Sequence, residues 1–277
     1  MAKITCVVDN NAKKDTGLRS EHGLSFWIET EHGNIIFDTG QTSVVFAHNL
    51  SLLRMNPKKT VALALSHAHY DHTGGLDTAL SHNAALKIYA HSDIFRPRYS
   101  LRDGEYRSIG VQLTRQDLEG RTQLTLSTAP QKIIPLLWTT GEIVERPEPE
   151  GRSAHHFIRA ETGWQPDPYR DDLSLVLKTK AGIILICGCC HAGLLNTLFH
   201  VEKHFEGPLI AILGGTHLTS SSEADLDHVI SVLRNRYMPL DLYLNHCTGE
   251  RAYQALADTF GQHVKPCPAG TVIQFAD

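Results

Sequence analysis

The chain has 277 residues, of which 42% are hydrophobic, and a formal net charge of −4. This length allows one large domain or two small ones. The acidic balance gives no general attraction to nucleic acid, and the longest apolar runs are too short to cross a bilayer. We therefore expect a globular protein whose partner is neither a nucleic acid nor a membrane.

The cysteines predict a cytoplasmic location. Cys187, Cys189 and Cys190 crowd one segment, a spacing that no disulfide framework would use. The first residues enter a strand-like pattern without the architecture of a signal peptide. We expect free thiols in a reducing compartment.

Short apolar runs separated by turn signals predict several strands and one helix in the first 90 residues. The predicted strands cover residues 4–8, 24–29, 34–37, 61–65 and 86–90, and the predicted helix covers residues 43–53.

The loop after the strand at 61–65 carries a cluster of metal-ligand residue types. His67 and His69 are two positions apart, so both point to the same side of an extended segment and can bind one metal ion. Asp71 and His72 follow at a predicted helix start, where they can face a second ion. Gly74 and the glycine after it let backbone pass close to the site. This spacing predicts a metal centre used for chemistry.

Residues 92–170 have a different character, with many arginines and prolines and little periodicity. We expect an insertion or lid within one domain that covers residues 1–277. Guanidinium groups match phosphate and carboxylate anions. The arginines between Arg96 and Arg121 therefore either clasp a phosphate or carboxylate or form a solvated face; they are Arg96, Arg98, Arg102, Arg107, Arg115 and Arg121. His155 and His156 either reach the substrate or face solvent.

The core resumes near Asp171, and strand and helix patterns alternate from there to the end of the chain. We expect an antiparallel strand pair in 172–186, strands at 209–213 and 240–244, and helices at 193–204, 224–236 and 251–260. This alternation predicts a layered α/β architecture. His191, His217 and His246 each follow a predicted strand, so they can meet at one edge of a sheet.

These motifs resemble the metallo-β-lactamase superfamily, whose signature is H-x-H-x-D-H after a hydrophobic strand. Within it, the chain is similar to the 7,8-dihydropterin-6-methyl-4-(β-D-ribofuranosyl)aminobenzene-5′-phosphate synthase-like subgroup. The matching motifs are VDN at 8–10, EHGLS at 21–25, FDTG at 37–40, GCCHAG at 188–193, GGTHL at 214–218 and NHCTG at 245–249.

The resemblance implies a four-layer αββα sandwich with one or two divalent metal ions between its two sheets. Zinc is the first expectation, with manganese or iron as alternatives. The implied ligands of the first ion are His67, His69 and His191, and those of the second ion are Asp71, His72 and His246. His217 is expected to contact the substrate or relay a proton.

Asp38, in the FDTG motif, is expected to accept the free N–H of a ligand histidine and fix its tautomer; an Asx-turn is the alternative. Asp171 and Asp172 could play a similar part or simply begin a strand. Many members of the superfamily bridge the metals with an aspartate after a glycine, but here Cys189 follows Gly188. A thiolate could substitute, although we favour Cys189 and Cys190 as small core residues, which leaves a single-metal centre open.

Three functions are consistent with these residues. The first is hydrolysis of an ester, lactone or phosphoester by a metal-activated water, with Asp71 orienting the nucleophile or moving its proton. The second is a transferase that condenses a dihydropterin diphosphate with an aminobenzene riboside phosphate. The third is a metal-dependent ligand sensor without turnover. Each takes a small-molecule partner, which is phosphorylated if the arginines bind phosphate.

Overall fold

The structure is a computed structural model that describes residues 2–83 and 86–276. Its strands are β1 (Ala2–Val8), β2 (Ser25–Thr30), β3 (Gly33–Phe37), β4 (Thr60–Ala64), β5 (Lys87–Ala90), β6 (Arg98–Arg102), β7 (Glu105–Ser108), β8 (Gln123–Leu126), β9 (Lys132–Ile134), β10 (Leu137–Thr139), β11 (His156–Ala160), β12 (Gly163–Pro166), β13 (Ser174–Lys178), β14 (Ile183–Cys187), β15 (Leu209–Gly214), β16 (Asp241–Leu244), β17 (Val264–Pro266) and β18 (Val272–Phe275). Its helices are α1 (Ser43–Leu52), α2 (Tyr70–Thr73), α3 (Leu76–His82), α4 (Arg115–Glu119), α5 (Leu194–His204), α6 (Glu223–Val232) and α7 (Glu250–Phe260).

Two seven-stranded sheets form the centre of the molecule. The first has the strand order β18-β1-β2-β3-β4-β5-β8, and the second has the order β17-β16-β15-β14-β13-β10-β9. Apolar side chains from both sheets, such as Ile28 and Ile186, share one buried cluster, so the sheets pack face to face. A smaller accessory sheet has the order β12-β11-β6-β7.

Helices cover the outer face of each main sheet. Phe46 of α1 and Leu80 of α3 pack on the first sheet, while Leu198 of α5 and Leu256 of α7 pack on the second. The predicted four-layer αββα sandwich is therefore confirmed.

β14 shows why central strands of the main sheets have continuous apolar sequences. Ile183 and Leu185 point into the cluster beneath the helices, whereas Ile184 and Ile186 point into the cluster between the sheets. Because successive side chains of a strand face opposite ways, a strand covered on both faces has no polar side.

Residues 92–170, expected to form an insertion or lid, contribute strands to all three sheets. β8 extends the first sheet parallel to β5, and β9 and β10 extend the second sheet beside β13. Within this segment, β6, β7, β11 and β12 form the accessory sheet outside the two main sheets. β8, β9 and β10 have three or four residues each, too few for a periodic pattern to show in the sequence.

Among the described residues, no helix combines the length and the apolar character that crossing a bilayer requires.

Candidate metal centre

The residues predicted as metal ligands follow strands of both main sheets. β3 and β4 are parallel in the first sheet, as are β14, β15 and β16 in the second, so their carboxyl ends reach a common edge. There the structure brings together all seven side chains that the sequence predicted as ligands or catalytic groups: His67, His69, Asp71, His72, His191, His217 and His246.

The first group of donor atoms comes from His67, Cys189 and His191, whose ligand-type atoms all lie within 4.8 Å of one another. His69 adjoins this group, with its Nδ1 3.0 Å from Nε2 of His67. The Nε2 atoms of His69 and His191 are buried and have no hydrogen-bond partner among the described residues. A buried nitrogen without a partner is costly, which identifies these two atoms as ready to bind something else.

The second group comes from His72, Cys189 and His246, again within 4.8 Å. Nε2 of His72 lies 3.2 Å from Nε2 of His246 and 3.2 Å from Sγ of Cys189. A third group adds Asp71 and His22 to His246: Oδ2 of Asp71 lies 3.2 Å from Nε2 of His22 and 3.4 Å from Nε2 of His246. The groups overlap, so they form one continuous donor cluster.

Asp38 orients two histidines of this cluster. Its Oδ2 lies 2.7 Å from Nδ1 of His72 and accepts a 2.6 Å hydrogen bond from the hydroxyl of Ser66. That hydroxyl is also 2.8 Å from Nδ1 of His67. Both rings therefore turn Nε2 toward the other donors, the arrangement by which a carboxylate fixes a metal-binding histidine.

Asp171 and Asp172 hold the loops that carry the candidate ligands. Asp171 accepts a 2.8 Å hydrogen bond from the backbone N–H of Ala68, which separates the first two histidines of the motif. Asp172 accepts one of 2.8 Å from the N–H of Ala192, next to His191. Both carboxylates are buried, so they act on backbone geometry and not as the start of a solvated strand.

The electrostatics suit neutral imidazoles around a cation. Burial, together with neighbouring imidazoles, lowers the pKa of His67, His69 and His191 well below its usual range, so each ring has a lone pair to offer at neutral pH. Burial also lowers the pKa of His72, but Asp38 and Asp71 outweigh it and raise that pKa to about 9. Negative charge thus favours a cation here, either a proton on His72 or a metal ion in its place.

This donor set fits a divalent metal ion. It offers imidazole nitrogens, a carboxylate and a thiol in a small buried volume, and these are ligands that zinc and iron accept. The partnerless Nε2 atoms of His69 and His191 are the observation that a bound cation would explain.

The loops of the site have unusual backbone conformations. Asp38, Cys190, His217 and His246 have φ values of 56°, 56°, 47° and 50°. Side chains other than glycine rarely occupy this left-handed region, which costs free energy at each position. Gly188 meets a second constraint, because a Cβ there would overlap the Ser66 side chain.

A cavity of about 80 Å³ opens over the cluster. Besides the donors, its lining includes His217, His156 and Arg102. Nδ1 of His156 lies 2.8 Å from the hydroxyl of Tyr169. A second cavity, of about 460 Å³, also borders His246 and is lined by Tyr253 and Pro268, among others.

The arginines of the middle segment do not form a joint anion clasp. Arg98 is fully buried and pairs with Asp167 and Asp171. Arg107, Arg115 and Arg121 each contact a surface carboxylate. Arg102 alone among the arginines predicted for the clasp lines the metal-centre cavity in the described part of the chain, and of the adjacent pair His155 and His156, His156 does so.

Sequence reasoning missed His22 and favoured the wrong one of two alternatives for Cys189. His22 is an isolated histidine just before β2, and its place in the EHGLS motif was the only available signal. Cys189 was expected to be a core residue together with Cys190. Cys190 does pack in the apolar cluster beside Cys187, but the Cys189 side chain faces the histidines.

A four-layer sandwich with a histidine-rich cluster of donor atoms at one edge of its sheets is typical of a class of metal-dependent enzymes. The family model described as the metallo-beta-lactamase superfamily matches residues 19–191. The chain is 30% identical to the 7,8-dihydropterin-6-methyl-4-(beta-D-ribofuranosyl)-aminobenzene-5′-phosphate synthase of Methanocaldococcus jannaschii, over 99% of this chain and 96% of the relative. The chain belongs to the metallo-β-lactamase superfamily.

The chain is also similar to a second relative and to a solved structure. An uncharacterized protein of the same organism is also 30% identical, over 92% of this chain and 93% of the relative. A solved structure described as a metal-dependent hydrolase of the β-lactamase superfamily has a TM-score of 0.85 at 23% identity and covers all of both chains. At 23% identity, this similarity establishes the fold alone.

Substituting Asp38 with asparagine is expected to weaken metal binding on the order of 10- to 100-fold, because His72 loses the carboxylate that orients it and His67 loses it indirectly, through Ser66. Titration with a competing chelator measures this change. Asp258→Asn is the control, since Asp258 is exposed and hydrogen-bonds only Gln254 in the described residues. Equal affinity in the two variants would contradict the orienting role.

Proposed function

We propose that this protein is a metal-dependent hydrolase that cleaves an ester, lactone or phosphoester bond of a small anionic substrate. The observation that carries the proposal is the overlap of three donor groups beneath one cavity. Zinc is the metal that this mixture of nitrogen, oxygen and sulfur donors favours, with iron or manganese as alternatives. When bound, such an ion lowers the pKa of water and polarises the scissile bond.

The residues of the chain complete the reaction site. Burial raises the pKa of Asp71, but His72 and His246 outweigh it and hold that pKa well below its usual range, so Asp71 is a carboxylate at neutral pH. It lines the cavity and can accept a hydrogen bond from an attacking water. Burial lowers the pKa of His217 to about 4, so this ring is neutral and its partnerless Nδ1 can bond the substrate or take up a proton.

The cavities indicate where the substrate would lie. The space over the donors, about 80 Å³, holds a reacting group but not a whole metabolite. Arg102 at its wall provides a guanidinium that pairs with a phosphate or carboxylate. The larger cavity, about 460 Å³, is also lined by His246 and has room for the rest of the molecule.

Asp71→Asn is expected to lose activity far beyond the roughly 10- to 100-fold that indirect effects cost, while retaining most of its metal. The amide keeps the shape but removes the charge and the ability to accept a proton. Turnover and metal content are measured on the same preparation, with Asp77→Asn as the control because Asp77 is exposed and pairs with Arg121. Near-native turnover of Asp71→Asn would show that the carboxylate has only a structural role.

A transferase is the second candidate, and the full-length similarity to the synthase favours it. Identity alone does not choose the reaction, since the uncharacterized relative is equally similar. In a transferase the metal would hold a diphosphate leaving group, and an aminobenzene riboside phosphate would take the place of water.

One screen separates the candidates. The metal-loaded protein is incubated with phosphodiesters, with lactones, and with a dihydropterin diphosphate in the presence and absence of the aminobenzene acceptor. Hydrolysis without an acceptor supports the hydrolase. A condensed product that forms only with the acceptor supports the transferase and overturns the hydrolase.

A further inference from the structure

We propose that the thiolate of Cys189 is a shared ligand that bridges two metal ions, in the place where many members of the superfamily use an aspartate. The inference rests on the proposed metal-dependent function and names a residue that completes its site.

The position of the sulfur carries the proposal. Sγ of Cys189 belongs both to the donor group with His67 and His191 and to the one with His72 and His246. In each group all donor atoms lie within 4.8 Å of one another. Nε2 of His72, which Asp38 turns toward the cluster, lies 3.2 Å from this sulfur. No other residue of the described chain belongs to both of these groups.

An independent feature points to a ligand at the same place. Nδ1 of His191 lies 2.9 Å from the carbonyl oxygen of Gly151, so Nε2 is the atom left for the cluster. That Nε2 is buried and has no hydrogen-bond partner in the part of the chain that the structure describes, and the same holds for Nε2 of His69. A cation held between Cys189 and His191 would provide a partner for Nε2 of His191.

The neighbouring cysteine shows that the position is specific. Cys190 packs with Cys187 among the apolar side chains beneath α5, whereas Cys189 is equally buried but lies outside that apolar cluster. Two adjacent residues of the same chemistry thus have different surroundings, and each serves as the control for the other.

The chemistry is a ligation without redox change. The thiol gives up its proton to solvent as the cations bind, and the sulfur lone pairs form a bond to each ion. A soft bridging donor favours zinc, iron or cobalt over magnesium and manganese. The site would therefore select its metal differently from a site bridged by aspartate.

The test replaces the metal with cobalt(II) and records its absorption spectrum. We expect the native protein to bind two equivalents and to show a sulfur-to-cobalt charge-transfer band. Cys189→Ser should lose the band and bind cobalt more weakly, whereas Cys190→Ser should keep both. Cys189→Asp should regain the stoichiometry without the band, because a carboxylate can bridge but has no sulfur.

Several outcomes would overturn the proposal. They are a cobalt-loaded native protein without the band, a band that persists in Cys189→Ser, and a band that disappears only on changing Cys247, which also lines the cavity over the donors, to serine. In all three the metal-dependent function stands. A native protein that binds no cobalt, zinc or iron would overturn the proposed function together with the bridge.

Discussion

Replacing both His67 and His69 with alanine is expected to reduce bound metal to background. His67 is a member of the first donor group, and His69 contributes a partnerless Nε2 beside it. Metal binding by the second group should fall as well, because the two groups share Cys189. Elemental analysis of the purified protein after reconstitution with zinc measures the loss.

The fold should survive this substitution, because the three apolar clusters of the sandwich do not include either histidine. Circular dichroism checks this point. The matched control is the double variant of two exposed histidines, His32→Ala with His228→Ala, which should bind metal as the native protein does. Stoichiometric metal in the His67/His69 variant would refute the ligand assignment.

The Arg98→Met substitution is expected to cause the largest loss of stability among these variants. Arg98 has no exposed surface, and its guanidinium lies 3.1 Å from Asp167 and 2.6 Å from Asp171. Removing one partner from a buried ion pair costs about 3–5 kcal/mol, because the remaining charge is left without compensation. In a protein of this size that corresponds to a fall of roughly 10 °C in Tm.

Thermal unfolding of metal-free protein measures this effect apart from ligand binding. Arg107→Met is the control, since Arg107 is exposed and its ion pairs contribute under about 1 kcal/mol. Arg98→Lys should fall in between, because an ammonium cannot form the two-sided contact of a guanidinium. A Tm for Arg98→Met within a degree or two of the control would show that the buried network carries no net stability.

The part of the site that the sequence predicts best is the part that lies in one loop. His67, His69, Asp71 and His72 follow a single strand, so their spacing alone indicates a metal centre. His191 and His246 follow from the rule that parallel strands end at a common edge, combined with the family resemblance. These expectations depend on local pattern and on topology, both of which are visible in the sequence.

What the sequence does not predict depends on the direction of single side chains and on distant pairings. A periodic sequence pattern does not predict the left-handed φ of Cys190. At this turn Cys190 packs in the apolar cluster, whereas Cys189 does not. Arg98 was expected in an anion clasp or on a solvated face, because nothing local shows that Asp167 and Asp171 enclose it. Likewise, β8 to β10 are too short to be recognised before their partner strands are known.

The left-handed residues at the strand ends limit how this protein can be made more stable. Glycine would relieve backbone strain at Asp38, His217 or His246, so a design method that scores only folding energy would favour it there. Each such gain would remove a side chain of the donor cluster or of its cavity, which is the usual conflict between stability and activity. Engineering for heat resistance should therefore leave these turns unchanged and turn instead to exposed positions such as Val144.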